Sequence, residues 1–290
     1  MRTLTIDELL SRYSAGERDF SQLKIEGRRP FLIKNINLSG ANFQESELCC
    51  GFENVDLSGA VFRKASLEVW FRESNLLGAD FSEISASKAL FERSDLSGAN
   101  FSQAELDRCR LRECNLTKAN LEEAWLLNCH FEDSVLNHAS LQLAFITSSQ
   151  QLDTAKMVGT DFKEAIVDVT TVTQSQLEQA GAVNTSAIVK LGPGERLEGA
   201  DLAGLPLHGL VFDGSNLSYA DLSECDMTSA SLKRCNLSHA NLQFAELEQT
   251  DLSEADLTGT ILAGAILRDC KTNGTIFKGT VMSDGTVRGG

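Results

Sequence analysis

Residues 74–101 read SNLLGADFSEISASKALFERSDLSGANF, and a count of five decides the fold. Leu76, Phe81, Ala86, Phe91, Leu96 and Phe101 stand five apart, and the same step continues without a break to Leu141 and Ile146. Two places before each of these centres the chain carries a small residue: Ser74, Ala79, Ala89, Ser94, Ala99 and onward to Ala144. The exception is one pentapeptide in which Ile84 is large at the small position and Ala86 is small at the large one. The volume is exchanged and not lost, as a shared core requires. A second block holds Leu, Met or Phe at every fifth position from Leu202 to Leu267.

A helix turns about 100° per residue, so a step of five wanders round its whole surface, and a plain strand alternates with period two. Two inward residues, two outward ones and a corner describe a chain that bends after each short extended piece and therefore coils. One pentapeptide buries too little to fold alone, so successive coils must stack over a continuous interior. Each buried Leu or Phe is worth roughly 1.5–3 kcal/mol. Asp or Asn often precedes the centre, as in Ala79-Asp80-Phe81 and Ala99-Asn100-Phe101, where a short polar side chain can bond nearby backbone at a bend.

The tandem A-(D/N)-L-x-x pattern, over about 36–167 and 196–287, resembles the pentapeptide-repeat protein family. The resemblance implies an all-β fold, a right-handed quadrilateral β-helix with four pentapeptides, hence twenty residues, per coil. Residues twenty apart then lie one above another at about 4.8 Å. The start, DELLSRYSAGERDF, is similar to that of cyanobacterial members.

Four regions are expected: an N-terminal helix and cap over 1–35, a first repeat block over 36–167, a helix and loop insertion over 168–195, and a second block with a C-terminal cap over 196–290. Thr5 and Glu8 form a capping box ahead of Ile6, Leu9, Leu10 and Tyr13, with Gly16 as a stop. The step shortens to four between Leu48 and Phe52 and between Leu67 and Phe71, so the first coils are irregular. Thr173 caps a short helix that ends at Gly181, and Ser283-Asp284-Gly285-Thr286 is a hairpin turn signal.

The chain of 290 residues carries 41 Asp and Glu against 26 Lys and Arg, a net charge of −15. That balance argues against a protein that grips phosphate backbones through a basic surface. The first forty residues hold seven basic and five acidic side chains, so the repeats are the acidic part. There is no apolar run near the ~20 residues of a membrane helix, and Asp7 and Glu8 occupy the place of a leader's apolar stretch. The expectation is a cytoplasmic protein without membrane insertion.

Seven of the eight cysteines, Cys50, Cys109, Cys114, Cys129, Cys225, Cys235 and Cys270, fall at the small inward position and replace Ala. With no C-x-x-C pair they read as small hydrophobes and not as metal ligands. His130, His138, His208 and His239 are outward and share no column. No phosphate loop, H-E-x-x-H or nucleophile elbow occurs. The sequence reads as a non-enzyme that needs no cofactor and no metal.

Large apolar residues at outward positions are the informative exceptions. Trp125 and Phe145 stack in one column if a coil takes twenty residues, and Leu127 and Leu143 lie nearby. Such a cluster either marks a protein contact or is covered by the 173–181 helix or the N-terminal segment folding back. Tyr219 and Phe244 read as isolated surface aromatics. The functional expectation is an interaction scaffold or regulatory protein that presents an acidic rod-like surface to a protein partner. The alternative is a DNA mimic acting on DNA gyrase, which the resemblance supplies from some family members. The tail 278–285 lacks the amphipathic helix through which those relatives dimerise.

Overall fold

The computed structural model describes residues 1–25, 32–147, 152, 154–168, 170 and 173–289. The chain divides into two compact units, Met1–Val189 and Lys190–Gly290, each a right-handed quadrilateral β-helix of stacked coils. Of the expected interruption, residues 169, 171 and 172 lie outside the described residues.

In the first unit one side of the coil is a parallel ladder running through Arg2–Leu4, Leu23–Ile25, Glu47–Leu48, Ser66–Leu67, Ser85–Ser87, Glu105–Asp107, Trp125–Leu127, Phe145–Thr147 and Ile166–Asp168. The adjacent side pairs Leu32–Lys34, Gly51–Glu53, Trp70–Arg72, Leu90–Glu92 and Arg110–Arg112. The other two sides are columns of single bridges, such as Asn75, Asp95 and Asn115, or Asp80, Asn100 and Asn120.

The registers give the coil lengths directly. Ser85, Glu105, Trp125 and Phe145 are paired at intervals of twenty, whereas Glu47, Ser66 and Ser85 are paired at nineteen. Each shorter coil contains one of the four-residue steps that precede Phe52 and Phe71. Phe145 pairs with Ile166, an interval of twenty-one, because one extra residue lies between the centres Ile146 and Leu152. The pairing of Lys24 with Glu47 spans twenty-three.

The centres fill the axis. Phe20, Phe43, Phe62, Phe81 and Phe101 form one stack with centroid separations from 5.8 Å down to 4.8 Å, and Phe52, Phe71 and Phe91 form a second at 5.0 and 5.1 Å. The stacks meet edge to face at about 6.0 Å, a favoured aromatic geometry worth roughly 0.5–1.5 kcal/mol per pair beyond burial. Ile84 and Ala86 are both buried, so the exchanged pentapeptide packs as its volumes require.

The first helix, α1 (Ile6–Ser14), carries the expected reciprocal Thr5–Glu8 cap. Leu9 is buried, and the Tyr13 ring lies 6.4 Å from Phe20, closing the aromatic stack. The second, α2 (Gln174–Gln179), is capped by Thr173 and Gln176 and buries Leu177 in the core.

Corners are built by the residue two after most centres, which takes positive φ: Gly98 at 64°, but also Glu123 at 57° and Leu143 at 57°; the four-residue steps after Leu48 and Leu67 lack it. Between corners the Asp or Asn side chain accepts the N–H two residues on, as Asp80 does from Ser82 at 3.0 Å and Asn100 from Ser102 at 3.1 Å. Its neighbour one coil later donates back: Asn100 Nδ2 to Asp80 Oδ1 at 3.1 Å, and Asn120 Nδ2 to Asn100 Oδ1 at 3.3 Å. Small hydroxyls and thiols of the interior donate to the carbonyl twenty-three residues earlier, Ser134 to Leu111 at 2.6 Å and Cys129 to Leu106 at 3.3 Å.

The second unit keeps a strict period. Its four columns, which begin at Arg196, Asp201, Pro206 and Val211, advance by twenty to Asn216, Asp221, Asp226 and Ser231 and onward. Pro206 bridges Asp226 through the Leu205 carbonyl, so its missing N–H removes no bond on that side. The expected turn closes a hairpin between Thr280–Val281 and Val287–Arg288.

Candidate functional site

Outward residues of the first ladder run Ser66, Ser85, Glu105, Trp125, Phe145 and Ile166. The column turns from polar to apolar at Trp125. The register of Trp125 on Phe145 is as the five-residue count requires, but exposure differs along the column. Trp125 is half-buried, while Phe145 is only 1 % exposed. Phe145 therefore is no part of an exposed ridge; it pairs with Trp125 on one rung and Ile166 on the next. Leu127 is half-buried on the Trp125 strand. Leu143 stands on a corner, 49 % exposed.

Trp125 and Leu143 border one shallow groove of about 360 Å³, with Gln103, Glu105 and Glu123 as the other lining residues. Its polar wall is organised: Gln103 donates to Glu123 at 2.8 Å across one coil. The groove thus offers two apolar surfaces and two carboxylates, Glu105 and Glu123, on a face that is otherwise hydrogen-bonded within itself.

Neither proposed cover lines it. The contacts of α2 are on the 155–158 side of the coil, where Met157 donates to the Ala180 carbonyl at 3.2 Å and Gln176 and Gln179 face Lys156 and Val158. The N-terminal helix packs on the opposite end of the core, against Phe20.

Sequence reasoning missed Ile166, which extends the apolar column. The signal was present, but the extra residue before Leu152 puts Ile166 twenty-one places from Phe145 and out of a strict count. The isolated reading of Tyr219 also changes: its ring stacks on His239 at 5.0 Å and 15°, on corners one coil apart. Phe244 is 63 % exposed.

Burial raises the thiols of Cys50, Cys114, Cys225 and Cys235 to about 12, because a thiolate there would lose its solvation. Among the described residues no three His, Cys, Asp or Glu side chains are grouped to hold a metal ion. No helix there is long and apolar enough to cross a membrane.

The pentapeptide-repeats profile matches the chain in eight copies at residues 74–112, 114–149, 196–234 and 235–271, together more than half its length. No curated protein matches. Among solved structures the chain is similar to HetL, a pentapeptide repeat protein involved in heterocyst differentiation regulation from the cyanobacterium Nostoc sp. strain PCC 7120, at 23 % identity over 98 % of this chain and 100 % of that one, with a TM-score of 0.27. It is also similar to full-length QnrB1, a plasmid-mediated fluoroquinolone resistance protein, at 16 % identity over 72 % and 92 % of the two chains, TM-score 0.27. A third similar structure is Rfr23 of the cyanobacterium Cyanothece 51142, at 21 % identity over 57 % and 96 %, TM-score 0.17.

Proposed function

The chain belongs to the pentapeptide-repeat family, and we propose that it acts without catalysis, as a scaffold or regulator whose β-helix surface binds another protein. The observation that carries this reading is the groove between Trp125 and Leu143. Large apolar side chains are scarce on the surface of the first unit, and a Trp beside a Leu in a shallow depression is the composition of an interface anchor. Leu127 lies two residues along the same strand as Trp125, and Phe145 pairs with Trp125 on the adjacent rung; the contact proposed here is made by Trp125 and Leu143 with Leu127 beside them.

The test is a pull-down from the source cells with the intact chain, run beside Trp125→Asp and Leu143→Asp. A partner retained by the wild type and lost with both variants, at unchanged melting temperature, supports the reading. A fall in melting temperature with Leu143→Asp contradicts it, because that side chain would then be packed core. Dose-dependent inhibition of gyrase supercoiling that survives both substitutions favours the DNA-mimic reading instead.

A further inference from the structure

A second surface lies round the corner from the groove, on the adjacent side of the first unit. Its outward column runs Leu32, Gly51, Trp70, Leu90, Arg110 and His130, in consecutive register. Trp70 lies across the rung of Gly51: a Cβ at Gly51 would come within 2.1 Å of the indole ring. The glycine therefore seats the ring on the face and fixes its position before any partner arrives.

The neighbouring column neutralises itself. Arg72 pairs with Glu92 at 2.9 Å, Arg112 with Glu132 at 3.3 Å, and Arg112 approaches Glu92 at 3.8 Å. Arg110 is different. It is exposed, and among the described residues no carboxylate pairs with it. One stripe of the face thus changes from apolar (Trp70, Leu90) to cationic at Arg110, with the His130 imidazole one rung on, and Leu90, Arg110 and His130 line a groove of about 330 Å³ with the paired column.

The backbone here is closed to an added strand, since Arg110 donates to Ala89 and Leu111 to His130 within the ladder. A partner must bind through side chains. Rungs repeat at about 4.8 Å and an α-helix at about 5.4 Å per turn, so a helix laid along the ladder meets successive rungs with successive turns.

We propose that this face docks an amphipathic helix of a partner protein, with apolar side chains at i and i+4 against Trp70 and Leu90 and carboxylates at i+7 and i+11 over Arg110 and His130. The attraction is by charge complement: the exposed Arg110 guanidinium, beside an apolar platform, is answered by a carboxylate of the helix.

Labelled synthetic helical peptides test this by fluorescence anisotropy on the full chain. One peptide carries Leu, Leu, Glu and Glu at those positions, a second carries Lys for Glu, and a duplex oligonucleotide serves as a phosphate probe. The acidic peptide is expected to bind about tenfold or more tightly than the lysine peptide. Arg110→Glu reverses that order, Arg110→Ala removes the preference, and Trp125→Asp leaves it unchanged, which separates this face from the groove. Failure of the acidic peptide to bind, equal binding of the two peptides, or indifference to both Arg110 variants overturns the proposal. So does duplex binding that Arg110→Glu abolishes, which would make the face a phosphate site.

Discussion

The two units solve one problem by different means. The first tolerates coils of nineteen, twenty, twenty-one and twenty-three residues and fills its axis with two stacks of phenylalanine. The second never departs from twenty, and its centres are Leu and Met, with Phe212 alone among its fully buried aromatics. The difference teaches that register here is held by the interior. Over the coils of nineteen and twenty-three a flat ring still covers its neighbour one rung away, while the coil of twenty-one lies beyond the stacks, among Ile146, Leu152, Met157 and Val167, and repacks without them.

The largest test of that contrast is truncation at the axis. Phe81→Ala removes a ring stacked on both sides at 4.8 Å and is expected to destabilise the first unit by about 3–5 kcal/mol in urea unfolding. Leu237→Ala, equally buried in the second, should lose less, toward the lower end of about 2–5 kcal/mol. An equal or larger loss at Leu237 would mean that the stacks add nothing beyond burial.

Alkaline pH probes the same contrast through the thiols. In the unfolded chain a cysteine ionises near the usual 9.0, while burial holds Cys50 and Cys114 of the first unit and Cys225 and Cys235 of the second at about 12. Cys129, in the first unit, is also raised well above its usual value. The folded pKa is the higher one, so this stability is complete below about pH 9 and declines as pH rises toward about 12. Burial also raises Cys270 in the second unit, so each unit holds three such thiols and both should lose stability over the same range. Unfolding midpoints followed from pH 8 to 11 check this, and a midpoint that does not fall in either unit would contradict it.

The smallest effect concerns the outer ladder. Asn100→Ala removes the bonds to Asp80, Ser102 and Asn120 and should cost about 1 kcal/mol, since solvent replaces part of what is lost. Asn241→Ala, with equivalent bonds to Asp221 and Gln243 in the second unit, should cost about the same. A large difference between them would show that the polar ladder, and not only the core, sets the tolerance of the first unit.

Much of this was legible in the residues because burial repeats every five. The exchange of Ile84 and Ala86, the short steps before Phe52 and Phe71, the Thr5–Glu8 and Thr173 caps and the inward cysteines can all be counted from the sequence. What could not be counted was exposure along a column. Trp125 and Phe145 occupy equivalent positions, yet Trp125 borders the groove and Phe145 is buried. The outward place of Trp70 can be read from the sequence, but its seat on Gly51 cannot, since the tryptophan falls inside the four-residue step from Leu67 to Phe71. Outward apolar residues reveal where a surface changes character, but which of them meets solvent is not contained in the count.

The stacking of residues twenty apart is tested most directly by a pair of nitroxide labels, introduced through unnatural amino acids at the exposed positions Ser85 and Glu105, in continuous-wave electron paramagnetic resonance. Neighbouring rungs place their backbones about 4.8 Å apart, so the account predicts strong spin–spin broadening for this pair and none for either label alone. Sharp, unbroadened lines from the doubly labelled protein would contradict it.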